Sequence, residues 1–275
     1  MRYPLPMPKD LKLTIVQPNI IWESPLENFK LLNKQLAKTG RGETDLIVLP
    51  EMFSTGFSMN AKKLAEQMEG PSMQWMFETA QGLKAAVCGS VMIRENGKFF
   101  NRFIWMEADG HYDHYDKRHL FQMAKEDKTY TAGTEGIVIE YKGWGFCPQI
   151  CYDLRFPVWS RNIKRGTGAA AKYDYDVLLY VANWPAIRSY PWSQLLVARA
   201  IENQCYVAGI NRVGKDGNSI AYTGNSVVLD PLGQPVSKLK AGKAGVETVT
   251  LNWKELQELR KRFPVLSDAD TFGIA

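Results

Sequence analysis

A chain of 275 residues with 45% hydrophobic and 23% charged side chains can bury a sizeable core and has ordinary globular composition, which argues against a disordered or fibrous protein. Its net charge of +5 comes from basic residues mixed with acids along the whole chain, so no stripe for nucleic acid is expected. No apolar run reaches the roughly 18 residues of a membrane span, and Met1–Pro6 lacks the apolar stretch of a signal peptide, so a cytoplasmic protein without a membrane partner is expected.

In chain order, the first apolar run, Leu11–Val16, reads as a strand. Ser24-Pro25-Leu26-Glu27 has the form of a capping box with proline at the first helical position, ahead of a stripe of Leu26, Phe29, Leu32 and Leu36 and a stop at Gly40. Asp45–Leu49 is a second strand, closed by Leu49-Pro50-Glu51, and a helix is expected over about Ser72–Leu83. Ala85–Ile93 and Asn101–Met106 are strands, and Tyr115-Asp116-Lys117 ends another apolar run. Gly136–Glu140 and Gly145–Tyr152 follow as strands, the second carrying Cys151 near its end, with a third helix expected after Pro157. Val177–Ala182 is a strand, and Pro191 to about Asn203 a helix that packs through Trp192, Leu195, Leu196 and Ala200. Cys205–Asn211, Ser226–Leu229 and Val246–Leu251 are strands, with hairpin-like turns at Asp216-Gly217 and Asp230-Pro231-Leu232-Gly233. A last helix covers Trp253 to about Arg262. Strand and helix alternate early and strands pair consecutively later, which predicts a layered α/β protein with mixed sheets. Residues 1–262 read as one domain, and 263–275 as a C-terminal tail that could pack at a dimer interface.

Three of these strand ends carry a functional group. Cys151 is a thiol where a strand turns toward helix, and a thiolate is a strong nucleophile. Glu51, beside Pro50, would be partly desolvated and so a better base. Lys117 supplies an ammonium for the oxyanion that forms when an amide carbonyl is attacked, and the backbone N–H of Tyr152 is the natural second donor. Singly, each reads as ordinary structure. Together and in this order they are what an acyl-transfer enzyme needs. The remaining cysteines, Cys88, Cys147 and Cys205, sit in apolar runs and read as buried reduced thiols. Cys147 and Cys151 lack CxxC spacing, and His111, His114 and His119 fall in one short segment, so no metal site is expected. No other cofactor is expected either.

With Leu49-Pro50-Glu51-Met52-Phe53, Tyr115-Asp116-Lys117-Arg118-His119-Leu120-Phe121 and Ile150-Cys151-Tyr152-Asp153-Leu154-Arg155-Phe156-Pro157, the chain resembles the nitrilase superfamily of carbon–nitrogen hydrolases. Glu126–Gly133 and Ala198–Val207 resemble two further family segments, and the likeness spans roughly residues 11 to 265. It implies an αββα sandwich of two mixed sheets, a Glu51–Lys117–Cys151 triad with Glu126 in support, and a homodimer or higher homo-oligomer.

Within the superfamily, Leu49–Met59 and Val181-Ala182-Asn183-Trp184-Pro185 most resemble the omega-amidases. That likeness implies a small-molecule substrate: the terminal amide of short 2-oxo dicarboxylic acid monoamides such as 2-oxoglutaramate and 2-oxosuccinamate. Phe53, Phe57, Phe121, Tyr152 and Trp184 fall in loops at strand ends and could wall a small pocket or pack in the core. A substrate carboxylate calls for a cation, best a bidentate arginine. Arg188 and Arg212 are candidates, whereas Arg155, four residues past the nucleophile, is expected to pair with a structural carboxylate. The alternatives are an N-carbamoyl amide hydrolase, an aliphatic amidase or a nitrilase sharing the triad, a papain-type Cys–His hydrolase using His119, and a non-catalytic binding protein on the same fold.

Overall fold

The computed structural model describes residues 9–166, 172–270 and 273. The first half of the chain supplies β1 (Leu11–Gln17), α1 (Pro25–Leu36), β2 (Leu46–Val48), α2 (Ala61–Leu64), α3 (Pro71–Leu83), β3 (Ala86–Glu95), β4 (Lys98–Met106) and β5 (Tyr112–Asp116). The second supplies β6 (Ile139–Tyr141), β7 (Trp144–Ile150), the antiparallel pair β8 (Lys164–Arg165) and β9 (Lys172–Tyr173), β10 (Val177–Ala182), α4 (Ser189–Asn203) and β11 (Tyr206–Asn211). After these come β12 (Val213–Lys215), β13 (Ala221–Thr223), β14 (Val227–Leu229), β15 (Gly245–Leu251) and α5 (Trp253–Arg262).

A six-stranded sheet has the order β15-β1-β2-β3-β4-β5, and a five-stranded sheet the order β14-β11-β10-β7-β6. Each has a parallel centre, β1-β2-β3 in one and β11-β10-β7 in the other, with antiparallel strands added on both sides. The central strands β2 and β10 are buried on both faces, so they read as unbroken apolar runs without alternation.

Alternation in β1 sends Leu13 and Ile15 inward, where Phe103 and Trp105 of the same sheet meet Phe146, Leu179 and Ile210 of the other. The outer face of the first sheet, with Val16, Val87 and Ile104, packs on Phe29 and Leu32 of α1 and Met76 of α3. The outer face of the second, with Leu178, Tyr180 and Val207, packs on Trp192, Leu196 and Ala200 of α4. Helix, sheet, sheet, helix is the αββα order that the family likeness implies.

Three local expectations need correction. Ser24 precedes α1 but its side chain makes no capping hydrogen bond, and Glu27 instead pairs with Lys30 at 2.8 Å on the surface. Proline at the first position is left to set the helix start. Leu26 is 69% exposed and lies off the packing face. Among the described residues 157–166 no α-helix follows Pro157: the hydrogen bonds there span three residues, Phe156 N–H to Asp153 and Trp159 N–H to Phe156, and Trp159 Nε1 reaches sideways to the Tyr115 hydroxyl at 3.0 Å. In the tail, Val265–Ser267 forms a single 3-10 turn, Leu266 is buried, and Gln204 Nε2 donates to the Phe263 carbonyl at 2.6 Å, so the tail begins against its own chain. The last expected tail residues, 271, 272, 274 and 275, and the leader segment Met1–Pro6 lie outside the described residues. Among the described residues no helix is long and apolar enough to cross a membrane.

Candidate active site

β5 runs antiparallel to β4, and β4 antiparallel to β3, so β5 shares the direction of the parallel trio. Glu51 follows β2, Lys117 follows β5, Cys151 follows β7 and Asn183 follows β10. These four residues from both sheets meet at the carboxyl ends of their strands and line one cavity of about 510 Å³.

Cys151 opens a 3-10 turn over Cys151–Arg155 with φ 47, a left-handed conformation that costs a residue with a Cβ about 1–3 kcal/mol. Asp153, fully buried, offsets that strain. Its Oδ2 accepts the Ile150 N–H and the Tyr115 hydroxyl, each at 2.9 Å, and its Oδ1 accepts the His119 N–H at 3.0 Å and meets His119 Nδ1 at 2.8 Å. One carboxylate thereby ties the cysteine turn to the loop that follows Lys117. His119 is spent on Asp153 and on stacking against Phe156 at 3.8 Å. No histidine lines the cavity among the described residues, which sets aside a papain-type pair. Cys88, Cys147 and Cys205 are buried, and Cys151 is the partly accessible cysteine.

Lys117 Nζ lies 2.9 Å from Glu51 Oε1 and 3.0 Å from both oxygens of Glu126. All three side chains are closed to solvent. Burial opposes the lysine's charge, yet Glu126 and Glu51 together outweigh it and raise Lys117 above its ordinary range, so it stays an ammonium. Burial raises Glu126, Lys117 partly offsets that, and the negative charge of Glu51 adds to it. Glu51 is enclosed completely, beyond the partial desolvation expected from its neighbouring proline. Its Oε1 accepts Asn101 Nδ2 at 2.8 Å as well as Lys117, and its Oε2 accepts the Asn183 N–H at 2.8 Å. Burial pushes the Cys151 thiol well above its ordinary value, Glu51 adds to the shift, and Lys117 and the Asn183 N–H oppose it. The balance favours the neutral thiol of Cys151.

Phe57, Phe121, Tyr152 and Trp184 wall the cavity. Phe53 does not: it is buried behind the sheet against Trp75, with ring centroids 5.6 Å apart. Arg188 lines the cavity with its guanidinium 5.3 Å from the Phe121 ring centre, and Arg155 lines it 5.0 Å from that of Trp184. Contrary to expectation, Arg155 has no structural carboxylate: the arginine ion pairs among the described residues belong to Arg102, Arg165, Arg199 and Arg260. Arg212 is buried behind the wall, where it donates to the carbonyls of Ile20 at 2.8 Å and Lys215 at 3.0 Å and so fixes the hairpin of β12 and β13. That hairpin brings Asp216 and Tyr222 to the cavity, and the loop after β1 brings Trp22 and Glu23. None of these was read as a wall residue in the sequence, where Asp216 was marked only as part of a turn and nothing local distinguishes the others. Asn183 lay inside a quoted motif, and Asn101 opened an apolar run, but neither carried a signal of its own.

Residues 12–261 match the model of the carbon-nitrogen hydrolase family. The chain belongs to that family. This carbon-nitrogen hydrolase is 44% identical to the omega-amidase YafV of Escherichia coli (strain K12), over 96% of this chain and 98% of that protein. It is 33% identical to a 2-oxoglutaramate amidase of Bacillus subtilis (strain 168), over 93% and 96%. A solved CN-hydrolase superfamily protein from Xanthomonas campestris, with an arsenic adduct in its active site, superposes with a TM-score of 0.93 at 44% identity, covering 97% of this chain and 99% of that one. A Saccharomyces cerevisiae protein from branch 10 of the nitrilase superfamily shares the fold, with a TM-score of 0.80 at 23% identity over 94% and 95%.

Proposed function

We propose that this protein is an omega-amidase, which hydrolyses the terminal amide of short 2-oxo dicarboxylic acid monoamides, 2-oxoglutaramate and 2-oxosuccinamate, to the acid and ammonia. The observation that carries the reading is one cavity holding Cys151, Glu51 and Lys117 together with the guanidinium groups of Arg155 and Arg188. A triad alone suits any amide. Two arginines outside the ion pairs of the described residues suit an amide that also bears a carboxylate.

Sγ of Cys151 attacks the amide carbonyl carbon as Glu51 takes the thiol proton. The oxyanion is held by the Lys117 ammonium and the Tyr152 N–H, which lies in the first turn of the 3-10 segment Cys151–Arg155 and has no acceptor within it. Glu51 passes its proton to the leaving nitrogen, the C–N bond breaks, ammonia departs and a thioester remains. Glu51 then deprotonates a water that attacks the thioester, and the acid and the free thiol are released. Glu126 keeps Lys117 charged and in place. Arg188 and Arg155 hold the far carboxylate, and Phe57, Phe121 and Trp184 enclose the short carbon chain.

Ammonia release tests the reading. The kcat/KM for 2-oxoglutaramate should exceed that for glutamine, asparagine and a simple nitrile by on the order of 10²-fold, because a site built for polar groups loses that much when they are absent or wrong. Cys151→Ala should abolish turnover and keep the native circular dichroism. Hydrolysis retained in that variant, or nitrile turnover without amide turnover, would overturn the proposal.

A further inference from the structure

We propose that Asn101 is a positioning residue which holds Glu51 and Glu126 on a single amide nitrogen and keeps both as carboxylates around Lys117. The inference rests on the amide-hydrolysing reading of the site but concerns a residue outside the triad.

Asn101 lies on β4, fully buried. Its Nδ2 donates to Glu51 Oε1 at 2.8 Å and to Glu126 Oε1 at 3.1 Å, which uses both of its N–H bonds. Its own carbonyl accepts the Lys117 backbone N–H at 3.0 Å. One residue therefore touches all three members of the charge cluster. The orientation of the amide is set from the neighbouring strand β3. There the Ser90 hydroxyl accepts the Met52 N–H at 2.8 Å, so its proton points to Asn101 Oδ1, also at 2.8 Å. A reversed amide would turn its oxygen onto two carboxylates and its nitrogen onto the hydroxyl hydrogen. The same serine holds Met52, the residue after Glu51, in its left-handed conformation with φ 44.

The arrangement answers a physical problem. Two buried carboxylates share one ammonium, so the cluster carries an excess negative charge out of contact with water. The easy relief is for one carboxylate to bind a proton, which would remove either the base or the partner that holds Lys117. Neutral N–H donors aimed at both oxygens stabilise the charged forms without adding a second cation. A lysine or arginine in the same place would compete with Lys117 for the oxyanion. The titratable groups facing this amide are Glu51, Glu126 and Lys117, with Cys151 and Tyr130 next in the same field.

The test compares Asn101→Ala, Asn101→Asp and Ser90→Ala with the unaltered enzyme, by the pH profile of kcat/KM on 2-oxoglutaramate and by melting temperature. Loss of the donors should move the acid limb to higher pH by about one unit in Asn101→Ala, with the loss in kcat and little change in KM. Asn101→Asp, which replaces donors by a third acid, should move it further. Ser90→Ala, which keeps the donors but frees their orientation, should move it less and in the same direction, and it decides the matter if Asn101→Ala does not fold. The same displacement should be read without substrate, in the pH dependence of Cys151 alkylation by iodoacetamide, so the result stands whether or not 2-oxoglutaramate is the substrate. Folded variants with a lowered melting temperature and an unmoved acid limb in both measurements would reduce Asn101 to a packing residue.

Discussion

At the scale of residues, the proposed chemistry turns on the partners of Glu51, Lys117 and Cys151 as much as on those three side chains. Cys151 sits beside a carboxylate that raises it and an ammonium that lowers it, and burial tips the balance toward the neutral thiol. The two cavity arginines make a sharp contrast with Arg212. All three are arginines near strand ends, but Arg212 spends its guanidinium on backbone carbonyls, whereas Arg155 and Arg188 lie over aromatic rings at the cavity. Arg188→Ala and Arg155→Ala should each raise KM for 2-oxoglutaramate by about 10–100-fold, the worth of a hydrogen bond to a charged group. Turnover of a carboxylate-free amide such as propionamide should be unchanged. Equal losses on both substrates would mean the arginines shape the cavity and do not bind a carboxylate. Glu51, Lys117 and Cys151, the proposed triad, could be picked out in the sequence because each closes a strand-like run, and the structure brings all three to one cavity. Asn101, Ser90 and Asp153 were not, because an asparagine, a serine or an aspartate inside or beside a strand is unremarkable until a second strand places a charge against it.

At the scale of elements, the segments between strands position the site more than the helices do. The stretch from Glu126 to Gly133 returns to β5, where the Gly133 N–H donates to the Lys117 carbonyl at 2.9 Å. A Cβ at Gly133 would stand 2.1 Å from the Asp116 backbone oxygen, so only glycine allows this approach. Gly133→Ala should therefore displace the backbone at Lys117, costing about 1–3 kcal/mol of stability by urea unfolding, with a larger proportional fall in kcat. Wild-type kcat in that variant would show that the contact does not govern the lysine. The missing helix after Pro157 belongs to this scale as well. A proline start favours a helix there, but Trp159 is used for a tertiary hydrogen bond to Tyr115, and a continuous helix would turn it away. The Ser24 box failed for a similar reason: a capping motif offers partners that the surface need not use.

At the scale of the whole molecule, the two sheets are held face to face by large side chains, with Trp105 and Phe146 at 4.9 Å between ring centres across the layer. Phe146→Ala should cost about 3–5 kcal/mol, read as a lower urea midpoint. The variant should also lose activity at temperatures below its melting point, since Phe146 lies on β7, which leads into Cys151, and faces the sheet whose strands lead into Glu51 and Lys117. Stability lost with full residual activity would show that the site does not depend on the spacing of the sheets. The longer strands, most helices, the layered class and the three residues of the proposed triad could be picked out from the sequence, because hydrophobic periodicity and strand-end motifs are local properties written in a few consecutive positions. Only the tertiary structure decided which arginines face the cavity, that Phe53 is core, and that one asparagine serves two carboxylates. Those facts depend on which strands lie side by side and which ends coincide, and strand pairing and sheet packing set that between residues far apart in the chain, as between Asn101 and Glu51, 50 positions apart.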